Sequence, residues 1–153
     1  LVLVIGRAEG IFHAYAHTQC HILTADPRDA VERLLGLLLP AAASEVRYYC
    51  DSNLAGDVAW VRFDLPLPDL VACLARTTTL PVYAEFTADA ALKERLETAY
   101  RPGAPSWWQP EELQDGRYAE QRRDTKELHG LSAGLGRLPG GKVRVHIGAF
   151  SAR

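Results

Sequence analysis

The chain has 153 residues, 48% of them hydrophobic and 24% charged, with a formal net charge of -2 at pH 7. These values are typical of one globular domain that can bury a substantial core. They exclude a whole-domain basic field that would attract nucleic acid, so we expect no nucleic-acid partner. No apolar run approaches the roughly 20 residues that a membrane-spanning helix needs, so we expect no transmembrane segment.

The start of the chain holds an apolar run, Leu1 to Ile5 (LVLVI). Methionine is absent from the whole sequence, so we expect that further residues precede Leu1 in the natural product. The run is too short for a complete signal-peptide apolar region and lacks a basic start. We therefore expect a buried strand here, with the end of a leader as the alternative.

Residues 11–23 (IFHAYAHTQCHIL) alternate small apolar side chains with polar and aromatic ones, which favours a strand. A helix is the alternative, and it would place His13, His17 and His21 on one stripe beside Cys20. Imidazole and thiolate groups at that spacing suit zinc. In a strand, residues four apart lie about 13 Å from each other and cannot share one ion. We expect the strand and no cofactor, and we keep a zinc site at these three histidines as the alternative.

A helix is predicted after residue 26. Asp26 is a candidate N-cap, Pro27 suits the first helical position, and Pro40 ends the apolar run. The residues expected to face inward are Val31, Leu34, Leu35 and Leu38.

Two strands and a helix are predicted next, over residues 46–50, 58–65 and 67–74. The joint at residues 51–57 (DSNLAGD) is rich in turn-forming residues, and Pro66 stops the second strand. One face of that second strand is apolar, and the other carries Val58, Trp60, Arg62 and Asp64. The helix begins near Pro68 and has an apolar stripe made of Leu67, Leu70, Val71 and Leu74.

Residues 80–86 are expected to form a short edge strand, followed by a helix over residues 88–100 capped by Thr87. From residue 11 to residue 86 the order is strand, helix, strand, strand, helix, strand, which matches the ferredoxin-like βαββαβ order. We therefore predict one α+β domain over residues 1–153, with an antiparallel-rich sheet packed by two or three helices.

Residues 101–141 are expected to be irregular and partly solvated. Prolines and a glycine interrupt residues 101–110, and residues 118–128 are largely charged or amide-bearing. We predict that five glycines of this region lie in loops: Gly130, Gly134, Gly136, Gly140 and Gly141. Alternation returns in residues 142–150, where Arg144 and His146 lie on the polar face of a predicted last strand.

The three cysteines, Cys20, Cys50 and Cys73, are far apart and form no CxxC pair, so we expect three reduced and mostly buried thiols. One disulfide with one free thiol is the alternative.

Three short patterns stand in order along the chain: small residues after Pro40 before a Tyr-Tyr strand, the sequence Arg-Phe-Asp at 62–64, and Trp-Trp-Gln-Pro at 107–110. Together they resemble a loosely defined group of uncharacterised bacterial proteins, many of them exported or lipoprotein-like. The resemblance covers about residues 39–110. It implies an α+β domain in the cell envelope or periplasm rather than the cytoplasm, and it carries no known activity.

The adjacent Trp107 and Trp108 have two interpretations: a plug that closes the core, with the indole N–H bonded to a carbonyl, or an anchor for a partner. Arg117 and Arg122 follow and would extend a partner-binding surface, although acidic residues are interleaved. The working hypothesis is a non-catalytic bacterial binding module for a protein partner, envelope-associated or of the toxin-immunity kind. The alternative is a small metal-dependent or Cys/His hydrolase that uses the face of His13, His17 and His21.

Overall fold

The structure, a computed structural model, describes residues 26–53, 56–77, 79–121 and 130–152. Several predicted features lie outside these ranges: the strand at residues 1–5, the segment 11–23, and Arg122. The candidate zinc ligands His13, His17 and His21 and the thiol of Cys20 lie outside them as well.

The described residues form an α+β fold, as predicted, with three α-helices and one five-stranded antiparallel sheet. In chain order the elements are α1 (Pro27–Leu35), β1 (Ser44–Asn53), β2 (Gly56–Pro66), α2 (Leu67–Arg76), α3 (Ala90–Ala99), β3 (Gln114–Gln121), β4 (Gly130–Arg137) and β5 (Lys142–Ala152). The strand order across the sheet is β1-β2-β5-β4-β3.

The ferredoxin-like order is not confirmed. Residues 80–86 do not form the predicted strand, because the chain turns through a short 3₁₀ helix at Tyr83–Glu85. Just after this segment, Thr87 forms an isolated antiparallel bridge with Tyr118. The first predicted strand of that order, residues 11–23, lies outside the described residues.

Both faces of the sheet are covered. Helices α1 and α2 pack on the first face, where every second residue of β2 and β5 is buried, including Val61 and Ile147. Helix α3 and the segment 100–113 pack on the second face, around Trp60, Leu96 and Tyr118. Asp64 of β2 and His146 of β5, both at polar alternate positions, are therefore buried beneath protein.

Helix α1 begins as predicted: the Asp26 side chain accepts a hydrogen bond from the backbone N–H of Arg28 at 3.0 Å. The helix ends earlier than predicted, because Gly36 adopts a left-handed conformation with φ 61°. Leu38 is consequently outside the helix and 83% exposed, so its expected place in the core is wrong.

The cap of α3 differs from the prediction. Asp89, rather than Thr87, accepts hydrogen bonds from the backbone N–H groups of Ala91 and Leu92. The helix consequently begins at Ala90.

The irregular segment predicted for residues 101–141 is the largest error, since it contains strands β3 and β4. Gly130, Gly134 and Gly136 are strand residues rather than loop residues, which corrects the prediction for these three glycines. Gly148 lies in β5, as predicted. A Cβ atom at Gly148 would lie 2.5 Å from the ring of Tyr100, which packs flat against the sheet there. Glycine at positions 134, 136 and 148 lets the covering side chains approach the backbone.

Candidate ligand-binding cavity

Four polar side chains of β2 and β5 are neighbours on the second face of the sheet. In the strand register Arg62 lies opposite His146, and Asp64 lies opposite Arg144. Side chains directly opposite each other in an antiparallel pair are close enough to interact. This polar patch lies under the segment that carries Trp107 and Trp108.

Arg144 and Asp64 form a bidentate ion pair, because Arg144 Nε and Nη2 each donate to one Asp64 carboxylate oxygen at 2.8 Å. Asp64 is 4% exposed, so its charge depends on this partner. The hydrogen bonds to Asp64 raise the pKa of Arg144. The pair fixes the position of one guanidinium at the edge of the patch.

Arg62 joins the strand to the tryptophan segment. Its Nη1 donates to the backbone carbonyl of Trp107 at 3.3 Å, and its guanidinium carbon lies 5.8 Å from the centroid of the Trp107 ring. Its Nη2 lies 3.5 Å from a carboxylate oxygen of Glu45. Its Nε is buried and has no hydrogen-bond partner among the described residues. Burial, and then the neighbouring charge of Arg144, lower the pKa of Arg62.

Glu45 reaches Arg62 through an irregularity in the edge strand. The register of β1 against β2 shifts between Ser44 and Arg47, and Glu45 adopts a left-handed φ of 51° at that point. A non-glycine residue in this conformation carries local strain. The shift therefore places a solvent-exposed carboxylate beside a largely buried guanidinium.

His146 is 1% exposed and packs edge-on against Trp108, with 5.0 Å between the ring centroids. Burial, followed by the positive charges of Arg62 and Arg144, lowers the pKa of His146 to about 3, so the ring is neutral near pH 7. Its Nδ1 atom and the Nε1 atom of Trp108 are buried, and neither has a hydrogen-bond partner within the described ranges.

A cavity of about 110 Å³ opens beside these groups. Three arginines, Arg62, Arg137 and Arg144, line it together with His146. The remaining lining residues are Trp107, Gln109, Glu112, Leu113 and Leu138. The three guanidinium groups give the lining more hydrogen-bond donors than acceptors, although Gln109 also offers a carbonyl and Glu112 a carboxylate, so the lining is suited to a ligand that accepts hydrogen bonds.

The structure separates the residues predicted to bind a partner. Trp107 is half-buried at the cavity, whereas Trp108 is 2% exposed and belongs to the core cluster of the second face. The carbonyl bond expected for a plugging indole is not formed by Trp108 within the described ranges. Arg117 is exposed on β3, opposite Leu135, and lines a different cavity near Tyr83.

The sequence did not single out Arg62, Arg144 and His146 as site residues. The alternation predicted that these residues lie on the polar face of their own strand. It did not predict that β2 pairs with β5, which places the polar residues of both strands side by side. The cover by residues 100–113 then removes them from water.

The expectation of three reduced cysteines is wrong, because Cys50 is disulfide-bonded. Cys73 is a free, buried thiol on the first face of the sheet, and burial raises its pKa. The nearby charge of Arg76 lowers this pKa less than burial raises it, so the thiol is not set up as a reactive thiolate.

No group of three or more His, Cys, Asp or Glu side chains within the described ranges is arranged to hold a metal ion. None of the helices in those ranges has the length and apolar character needed to cross a membrane.

No protein-family model matches the sequence, and comparisons with curated proteins and with solved structures give no significant match.

Proposed function

We propose that the protein is a non-catalytic binding domain whose partner is another protein and whose contact surface is the cavity rim around Trp107. The observation that carries the proposal is the contact of the Arg62 guanidinium with the Trp107 ring, 5.8 Å from the ring centroid, beside a cavity lined by three arginines. Tryptophan and arginine are the residue types that most often dominate binding energy at interfaces.

The chemistry of the lining supports binding rather than bond-breaking. A general base at neutral pH needs a pKa near the working pH, whereas the pKa of His146 is lowered to about 3. The free thiol of Cys73 lies on the opposite face of the sheet, with Leu70 and Leu74. The three arginines of the cavity are charged and can bind a ligand, but none of the groups named here is set up to break a bond in it.

An oxidising compartment, the bacterial cell envelope or periplasm, is part of the proposal. Disulfides form and persist in exported proteins and are rare in the cytosol, so the bonded state of Cys50 supports this location. The similarity of residues 39–110 to exported and lipoprotein-like proteins supports the same location.

Site-specific photocrosslinking in the source organism tests the proposal. The photoreactive residue p-benzoylphenylalanine replaces Gln109, an exposed residue of the cavity rim, or Arg33, an exposed residue of α1 on the opposite face. We expect a discrete protein adduct from position 109 that position 33 does not give. Loss of this adduct on Trp107→Ala would place the contact at the cavity rim.

The proposal would be abandoned if position 109 gave no adduct. It would equally be abandoned if positions 109 and 33 gave the same adducts, since those would reflect collisions at the protein surface.

A further inference from the structure

We propose that the cavity beside Trp107 is a subsite for a single carboxylate group, supplied by an acidic side chain or the chain end of the partner protein. This inference rests on the proposed function, because it names the chemistry of the group that the binding surface takes.

Unpaired donors are the first observation. Arg62 Nε is a charged donor, buried and without an acceptor in the described part of the chain. The neutral indole Nε1 of Trp108 is also buried without a partner among the described residues, but Trp108 does not line the cavity and contacts it only through His146, on which its ring packs. A buried donor without a partner is costly, and more so when it is charged. A ligand that brings acceptor oxygens and no hydrogens removes this cost, and a carboxylate is such a group.

The charge around the cavity is the second observation. Arg62, Arg137 and Arg144 line it together with one carboxylate, that of Glu112. Asp64 pairs with Arg144, and the solvent-exposed Glu45 pairs with Arg62. Because water screens Glu45, the interior of the cavity keeps an excess of positive charge that a monoanion reduces. A phosphate near pH 7 carries more negative charge than a monoanion and would be left partly uncompensated.

Arg137 and Glu45 determine how much of that positive charge is available to a ligand. Arg137 is exposed and forms no ion pair with a carboxylate among the described residues, so its charge is available at the cavity mouth. Glu45 pairs with Arg62 at 3.5 Å, and its side chain is 53% exposed. Water screens that pair, so it competes weakly with a ligand inside the cavity.

The size of the cavity is the third observation. Its volume is about 110 Å³, whereas an apolar cavity of roughly 150 Å³ accommodates benzene, which has six heavy atoms. A carboxylate with its attached carbon has four heavy atoms and fits, while a whole amino-acid residue does not. The ligand therefore inserts one group and leaves the remainder of its chain on the rim near Trp107.

The test uses the indole N–H signals of the full chain in two-dimensional NMR, because the chain contains three tryptophans. Acetate is the probe, acetamide is the neutral probe of the same shape, and sodium chloride holds the ionic strength constant. Trp60 is an internal reference, since its Nε1 donates to the carbonyl of Tyr100 at 2.7 Å. We expect acetate to shift the Trp107 and Trp108 signals saturably, with half-saturation at about 1 mM or above for so small a ligand. Acetamide should leave them in place.

Matched variants assign the effect to the cavity. Arg62→Gln and Arg137→Gln should each raise the half-saturating acetate concentration by about tenfold or more, because a charge-assisted hydrogen bond is lost. Arg137 is exposed, so its replacement keeps the test valid if Arg62→Gln impairs folding. Arg33→Gln, on the opposite face, should have no effect.

Three results would overturn the inference: a linear response that acetamide reproduces, acetate binding unchanged in both cavity variants, and binding of inorganic phosphate tenfold tighter than that of acetate. The first would mean that acetate acts on the signals only through a non-specific solvent effect. These outcomes are separable from the proposed function, since a rim-specific crosslink without acetate binding would keep the binding surface and remove the carboxylate subsite.

Three short peptides identify the source of the group: one with a free chain end, its amidated form, and the amidated form with one aspartate. Binding of the first alone indicates a chain end, and binding of the third indicates an acidic side chain. If neither binds more tightly than acetate, the assignment to a protein carboxylate is wrong.

Discussion

Removing the imidazole of His146 should change how the stability of the protein depends on pH. Burial and the charges of Arg62 and Arg144 lower the pKa of His146 to about 3 in the folded state, against 6.5 as the ordinary value. As the pH falls below 6.5, the unfolded chain binds a proton at this position and the folded protein does not. Protonation therefore favours unfolding, and the loss of stability grows until the pH reaches about 3.

The magnitude follows from the same two pKa values. At pH 4.5 the solution is about two units below the pKa of the unfolded histidine, and each unit corresponds to about 1.4 kcal/mol. His146 should therefore cost about 2 to 3 kcal/mol of unfolding free energy between pH 7.5 and pH 4.5. The variant His146→Gln keeps a polar side chain that cannot titrate in this range, so it should lose less stability by about that amount.

Urea unfolding of both proteins at pH 7.5 and pH 4.5, followed by circular dichroism, measures the difference. The other four histidines and all carboxyl groups are present in both proteins, so to first order their titration cancels in the comparison. A general destabilisation of the variant also cancels, because the readout is the change between the two pH values. If both proteins lost the same free energy on acidification, His146 would not be the buried neutral group described above.

The remaining predictions concern packing, charge and the thiols. Gly148→Ala should lower the unfolding free energy by about 2 kcal/mol or more, because its Cβ would meet the overlying ring at 2.5 Å. The control Gly130→Ala, with no neighbouring atom within 4 Å, should be nearly neutral, and equal losses in the two variants would contradict the packing argument. Asp64→Asn removes one charge of a largely buried ion pair and should cost about 2 to 4 kcal/mol in urea unfolding; a cost near zero would mean that the pair is solvated. Alkylation of the unfolded, unreduced protein followed by mass spectrometry should label Cys73 and leave Cys50 unlabelled, and equal labelling of both would exclude the bond.

The sequence predicted the start of α1 and the strand β5, because both depend on residues that are close together in the chain. Helix α1 has its cap at Asp26 and Pro27 at its first turn, and both contributions come from residues adjacent in the chain. Strand β5 was predicted because Val143, Val145 and Ile147 alternate with polar residues, a pattern that needs no knowledge of the partner strands. The end of α1 was missed because Gly36 stops a helix although the apolar spacing continues beyond it.

Strand β3 escaped prediction because its sequence is mostly polar, and β4 because glycines accompany its apolar alternation of Leu131, Ala133 and Leu135. In β4, Gly134 and Gly136 occupy the second-face positions, where a valine or leucine would have marked a strand. Their lack of a side chain is a response to Leu96 and Leu113, which pack directly on the backbone from distant parts of the sequence. Such a requirement exists only after the layers have come together, so the same glycines had favoured a loop.

The cavity follows from the same packing of one layer on another. His146 had been placed on the polar face of its strand, and in a sheet covered on one side such a face is exposed to solvent. Here α3 and residues 100–113 cover the second face, so Arg62 Nε and His146 Nδ1 are removed from water without a hydrogen-bond partner among the described residues. Folded proteins seldom keep a buried charged donor unpaired, since a water, an ion or a ligand usually completes it. The unpaired donors at the end of an otherwise well-packed layer are therefore the physical reason for placing the binding site beside Trp107 rather than on the exposed arginine of β3.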